Sequence, residues 1–154
     1  MISACLLGIQ CSYKATASAD FLQGPLLLQQ DFELVPVCPE QLGGMPTPRI
    51  PSELVSSAKE VLAGRGRVLA KDGRDVTDCF IRGAGEVLRL ARLFAVELVV
   101  LKTRSPSCGL KSVYDGTFSG KLIVGSGVTA RLLLDNGFKV LDEQDLIEFL
   151  RGTV

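Results

Sequence analysis

Three cysteines occupy equivalent points of the chain. Cys5 follows the apolar run Met1-Ile2-Ser3-Ala4, Cys38 follows Leu34-Val35-Pro36-Val37, and Cys108 lies in the loop Ser105-Pro106-Ser107-Cys108-Gly109 behind Leu98-Val99-Val100-Leu101. A short apolar run broken by Pro and Gly reads as a buried strand, and open α/β sheets bind ligands at the C-terminal ends of their strands. If these runs are adjacent parallel strands, spaced by about 4.8 Å, three thiols meet on one sheet edge without any tight motif. The C-x-x-C spacing that would identify a zinc site from sequence is missing. Each cysteine alone is as well explained as a buried thiol; the three together point to a shared site.

The chain has no histidine. That removes the commonest general base, the Ser-His and Cys-His nucleophile pairs and the usual zinc ligand. Three thiolates without imidazole favour an iron-sulfur cluster over catalytic zinc, and a four-iron cluster on three ligands keeps one iron open. An open iron is a Lewis acid and a thiophile, suited to binding a substrate sulfur and polarising its bond to carbon. Glu40, two residues past Cys38, is the best-placed carboxylate for moving protons, against the alternative of a solvated loop residue. Ser105 and Ser107 are expected to hydrogen-bond a polar substrate, or else to cap the turn around Pro106. Cys11 is either a fourth ligand closing the site or a bystander, and Cys79, beside Phe80, is read as core. Tyr13, Lys102, Lys111 and Asp115 are further polar candidates. No G-x-G-x-x-G or P-loop pattern supports a nucleotide cofactor.

The elements that must carry these groups alternate. Strands are expected at 1–5, 31–37, 97–102 and 138–141, and helices at 25–30, 77–94, 128–136 and 144–150. The firmest helix is the one with Phe80, Ala84, Val87, Leu88, Ala91 and Phe94 at three- and four-residue spacing. Residues 67–76 read as a hairpin about Lys71-Asp72-Gly73, and 113–124 as a hairpin arm on the ligand side. The Pro- and Gly-rich stretch 38–51 is expected to be loop throughout. The fold class is therefore α/β: one domain over 1–154, three layers, with a mostly parallel, Rossmann-like sheet and a small hairpin arm.

With 47% hydrophobic residues in 154, the chain can bury a sizeable core. Seventeen basic and seventeen acidic side chains cancel, so nothing advertises a nucleic-acid partner. No run approaches the roughly 18 apolar residues of a membrane span. The expected setting is the cytoplasm, where five cysteines are more readily explained as thiols or metal ligands than as disulfides.

Several blocks together resemble the thiouracil desulfidase family. They are Ser3-Ala4-Cys5-Leu6-Leu7-Gly8, Val37-Cys38-Pro39-Glu40-Gln41-Leu42-Gly43-Gly44, Asp75-Val76-Thr77, Lys102 with Ser105-Pro106-Ser107-Cys108-Gly109, and Tyr114 to Gly120 with Gly125 to Ala130. The resemblance runs from Ser3 to about Val140. It implies a small α/β protein with a [4Fe-4S] cluster on Cys5, Cys38 and Cys108, acting on a small thiolated base such as thiouracil. Glu40 and Ser105 match family positions for catalysis and substrate contact and would be catalytic, with Ser107 the substrate contact expected from the loop itself; water would replace sulfur at carbon without net redox change. After Cys11 the chain departs from the family pattern, with Ser12-Tyr13-Lys14-Ala15 in place of a basic-Tyr-Asp/Asn-Gly run. Gly24-Pro25 is also unusual, so the substrate loop differs more than the cluster blocks do. Two alternatives remain at this point: a non-catalytic module with a closed Cys5/Cys11/Cys38/Cys108 metal site, and a metal-free sulfurtransferase carrying a persulfide on Cys108.

Overall fold

The computed structural model describes residues 1–17, 32–150 and 152. The helix expected at 25–30, and the Gly24-Pro25 departure, lie outside the described residues.

Four short strands form a parallel sheet in the order β2-β1-β5-β8: β1 (Ile2–Ser3), β2 (Pro36–Val37), β5 (Leu98–Leu101) and β8 (Lys139–Asp142). The chain leaves β1 for a neighbour on one side and later returns to its other side. The topological switch point therefore falls between β1 and β5, where ligands of such sheets bind. Alternation along β5 explains why it is apolar throughout. Val99 and Leu101 pack with Val87, Ala91, Ala130 and Leu133 on one face, while Val100 packs with Ile2, Leu6 and Leu146 on the other. One layer is thus α3 (Thr77–Leu93) and α4 (Val128–Asp135); the opposite layer is α5 (Glu143–Leu150) with the 3-10 turn Ala4–Leu7.

One expectation needs correction. The stretch 38–51 contains a helical turn, α1 (Pro39–Leu42), because Pro39 stands at its first position, where a missing N–H is harmless. Residues 67–76 form the expected hairpin turn about Lys71-Asp72-Gly73, with the Ala70 amide donating to Arg74 O (2.9 Å), the Val76 amide to Val68 O (3.0 Å) and an antiparallel bridge between Leu69 and Asp75. On its other side β4 (Val68–Ala70) pairs along its length with β3 (Ser52–Leu54). A short helix, α2 (Ala58–Leu62), was not anticipated, although Ser57 and Glu60 form a complete capping box before it. The arm is a two-stranded antiparallel ribbon of β6 (Ser112–Tyr114) and β7 (Leu122–Val124). Its tip is tied to β3 by Glu53, which accepts from the amides of Gly116 and Phe118, both at 3.0 Å.

Two glycine contacts fix the elements around the sheet edge. A Cβ on Gly83, in the middle of α3, would overlap the Pro39 carbonyl oxygen, and one on Gly43 would overlap that of Cys79. The backbones of α1 and α3 therefore touch directly. Likewise, a Cβ on Gly127 would overlap the Ser107 backbone. This close approach lets the first amides of α4 donate to the 105–109 loop, from Val128 to Pro106 O (2.9 Å) and from Thr129 and Ala130 to Ser107 O (2.9 and 3.1 Å).

Candidate active site

The C-terminal ends of β1, β2 and β5 open into a cavity of about 470 Å³, and Cys5, Cys38 and Cys108 all line it. Each arrives differently from a residue simply closing a strand. Cys5 lies within the 3-10 turn after β1. Cys38 is the N-cap of α1, held by the contact of that helix with α3. Cys108 hangs in the loop whose carbonyls α4 grips. A fourth thiol, Cys11, lines the same cavity and is buried. Cys79 does not line it; it sits half-buried in the first turn of α3 and, contrary to expectation, is not part of the buried core.

Among the described residues, no three Cys, Asp or Glu side chains converge closely enough to hold a single metal ion. Four thiols around one cavity, with no imidazole among them, are instead a donor set of the kind that iron-sulfur clusters use.

The thiols are electrostatically unequal. Hydrogen bonding with Cys38 and with Cys5, then burial, push the Cys11 thiol far above its ordinary range. The same contact with Cys11 lowers Cys38, helped by the Gln41 amide and the charge of Arg49, against the opposing effect of burial. Burial pushes Cys108 up to about 12, despite hydroxyl contacts from Ser3 and Ser107.

Glu40 faces the cavity from α1 with 13% of its side chain exposed. Its Oε1 accepts from Ser107 Oγ at 2.8 Å and its Oε2 from Arg49 Nε at 2.5 Å. Arg49, whose side chain is only 5% exposed, also donates through Nη2 to the Cys11 carbonyl (3.1 Å) and through Nη1 to Pro46 O and Thr47 Oγ1 (3.3 and 3.2 Å). One guanidinium thus joins the carboxylate to the Cys11 turn. Sequence reasoning missed Arg49; the only signal was a lone cation inside the uncharged Pro46-Thr47-Pro48…Pro51 segment.

Hydroxyl protons can be assigned by counting. Ser105 Oγ accepts from the amides of Ser107 (3.2 Å) and Cys108 (3.0 Å), so both of its lone pairs are taken. Its proton must go to Ser107 Oγ, 3.0 Å away, and the Ser107 proton to Glu40. Ser105 therefore caps the loop, and the buried Ser107 orients Glu40.

Tyr13 and Lys102 line the cavity. Lys111 instead pairs with Asp142 and Asp145, and Asp115 with Thr117 and Lys121. Lys102 also bonds Glu143 at 2.5 Å, and Glu143 accepts from the Thr103 amide at 2.7 Å. That anchors the exit of β5 to the start of α5.

A model of the 2-thiouracil desulfurase family matches residues 1–145. This chain belongs to that family. It is 40% identical over 151 residues to YbbK of Bacillus subtilis (strain 168), covering 97% of this chain and 99% of that protein. It is also similar to the solved structure of the [4Fe-4S]-dependent thiouracil desulfidase TudS, with a TM-score of 0.81 and 34% identity over 98% of this chain and 94% of the other. Among the described residues, no helix is long and apolar enough to cross a membrane.

Proposed function

We propose that this protein is an iron-sulfur-dependent desulfidase that hydrolyses the C–S bond of a small thiolated base such as thiouracil, giving the oxo-base and hydrogen sulfide. The observation that carries the proposal is the meeting of Cys5, Cys38 and Cys108 in one cavity beside an ion-paired glutamate. The donor set suits a [4Fe-4S] cluster. It is all soft sulfur and it contains no imidazole. When bound on these three thiolates, the cluster supplies an open, thiophilic iron that polarises the carbon–sulfur bond.

Everything else is done by the chain. Thiocarbonyl plus water gives carbonyl plus hydrogen sulfide, so no electrons are exchanged but a proton must leave the attacking water. Glu40 takes that proton. Ser107 and Arg49 occupy one lone pair on each carboxylate oxygen and hold the group still, and the remaining lone pairs are free to accept. Ser105 contributes by fixing the Cys108 loop and the Ser107 rotamer. Tyr13, Tyr114 and Phe118 give the cavity aromatic walls against which a planar base can lie.

A persulfide carrier on Cys108 fits less well, because a buried thiol with its pKa raised to about 12 is a poor nucleophile. The closed four-thiol site keeps one specific observation in its favour, the burial of Cys11 in the same cavity. The test is anaerobic purification followed by iron and sulfide analysis and assay with thiouracil. The expected result is brown protein with about four irons per chain and stoichiometric conversion of thiouracil to uracil and sulfide. Cys5, Cys38 or Cys108→Ser should lose iron, whereas Cys11→Ser should keep iron and activity. Colourless wild-type protein, or loss of iron on changing Cys11, overturns the three-ligand desulfidase.

A further inference from the structure

Ser3 has no part in the chemistry described above, yet it is 2% exposed at the C-terminal end of β1 and its hydroxyl points at a candidate ligand. Its Oγ lies 3.5 Å from Cys108 Sγ and accepts from the Lys102 amide at 3.0 Å. The amide is an obligate donor, so the Ser3 proton is not used there. A cysteine bound to metal is a thiolate with no proton of its own, so in the loaded protein Ser3 must be the donor and Cys108 Sγ the acceptor.

The other hydroxyl near this sulfur is Ser107 Oγ at 3.8 Å, and its proton is already given to Glu40 at 2.8 Å. Ser3 is thus the hydroxyl whose proton is available to Cys108. It is also the side chain that ties the end of β1 to the end of β5 across the switch point.

We propose that Ser3 is the positioning residue for Cys108, donating a hydrogen bond to its thiolate that raises the reduction potential of the cluster and keeps that ligand aligned between β1 and β5. Hydrogen bonds to ligand sulfurs withdraw charge from the cluster and stabilise its reduced form. The inference rests on the reading of Cys108 as a cluster ligand.

The test is a potentiometric titration of anaerobically prepared wild-type, Ser3→Ala and Ser3→Thr proteins, followed by electron paramagnetic resonance. Ser3→Ala should lower the potential, with a shift in the one-electron equilibrium on the order of tenfold, or 59 mV. Ser3→Thr keeps the hydroxyl and should return the potential toward wild type. Reduced wild-type protein exchanged into heavy water should also show a deuteron coupled to the cluster, a readout that holds even if Ser3→Ala fails to fold. A cluster with the same potential in all three proteins, or no coupled deuteron in the wild type, overturns the role of Ser3 and leaves the cluster reading standing. Wild-type protein with no iron overturns both.

Discussion

Replacing Arg49 by Met tests the geometry of the site more sharply than replacing a cysteine, because it leaves every candidate ligand in place. Met keeps most of the side-chain volume but removes the donors to Glu40, the Cys11 carbonyl, Pro46 O and Thr47 Oγ1. The side chains are 95% and 87% shielded, so the Glu40 carboxylate would be left buried without its countercharge. Breaking one partner out of such a pair costs about 3–5 kcal/mol. For a domain of this size 1 kcal/mol moves the melting midpoint by about 2–4 °C, so Arg49→Met should lower it by roughly 10 °C.

Glu40→Gln in the Arg49→Met background removes the stranded charge and should recover part of that loss. The double variant should be more stable than the sum of the single effects by about 1–3 kcal/mol. The assay is thermal unfolding under argon of wild type, both single variants and the double variant, read by far-ultraviolet circular dichroism. If the two substitutions add within about 0.5 kcal/mol, the Arg49–Glu40 pair is not coupled and the account of how Glu40 is held is wrong.

Two other outcomes follow from the packing around the sheet edge. Gly83→Ala should destabilise the protein by about 3 kcal/mol or more through overpacking, since its Cβ meets the Pro39 carbonyl. Gly85→Ala two residues on, where a Cβ meets nothing, should be neutral or slightly stabilising in the same melting assay. The third concerns acid. Burial would raise the Glu143 pKa, but Lys102 and Thr103 outweigh it and hold the folded-state value below normal. The folded state therefore binds its proton less readily than the unfolded chain. Its stabilisation is complete above the unfolded pKa of about 4.3 and is lost as pH falls through the lower folded value. Glu143→Gln should flatten that part of the stability–pH curve, and a slope unchanged between pH 5 and 2 would falsify the assignment.

Periodicity and turn chemistry are local, and the elements they control were readable in the sequence. The apolar runs of β1, β2 and β5 predict parallel strands, the three- and four-residue spacing from Phe80 to Ala91 predicts α3, and Asn136-Gly137 predicts the end of α4; Phe94, expected on the same apolar stripe, instead caps the end of α3 and is exposed. That three of the cysteines follow such runs was enough to place them on one edge of the sheet. Where a rule was applied too broadly, it failed: proline excludes the interior of a helix but not its first turn, so α1 was overlooked. The pairing of β4 with β3, in addition to the residues after its own turn, is a long-range choice that goes with burial of Leu54 and Val68 in the cluster with Phe80 and Val113.

The sequence by itself determined which donor groups the chain can offer. An all-sulfur, histidine-free set and one nearby glutamate are facts of composition and order, and no folding can alter them. Only the tertiary structure decided who touches whom. Arg49 reaches Glu40 across nine residues, Ser107 reaches it across sixty-seven, and Ser3 reaches Cys108 across one hundred and five. Such contacts leave no periodic trace, because a hydrogen bond between distant residues depends on how two strand ends and a loop are packed, not on the spacing along either one.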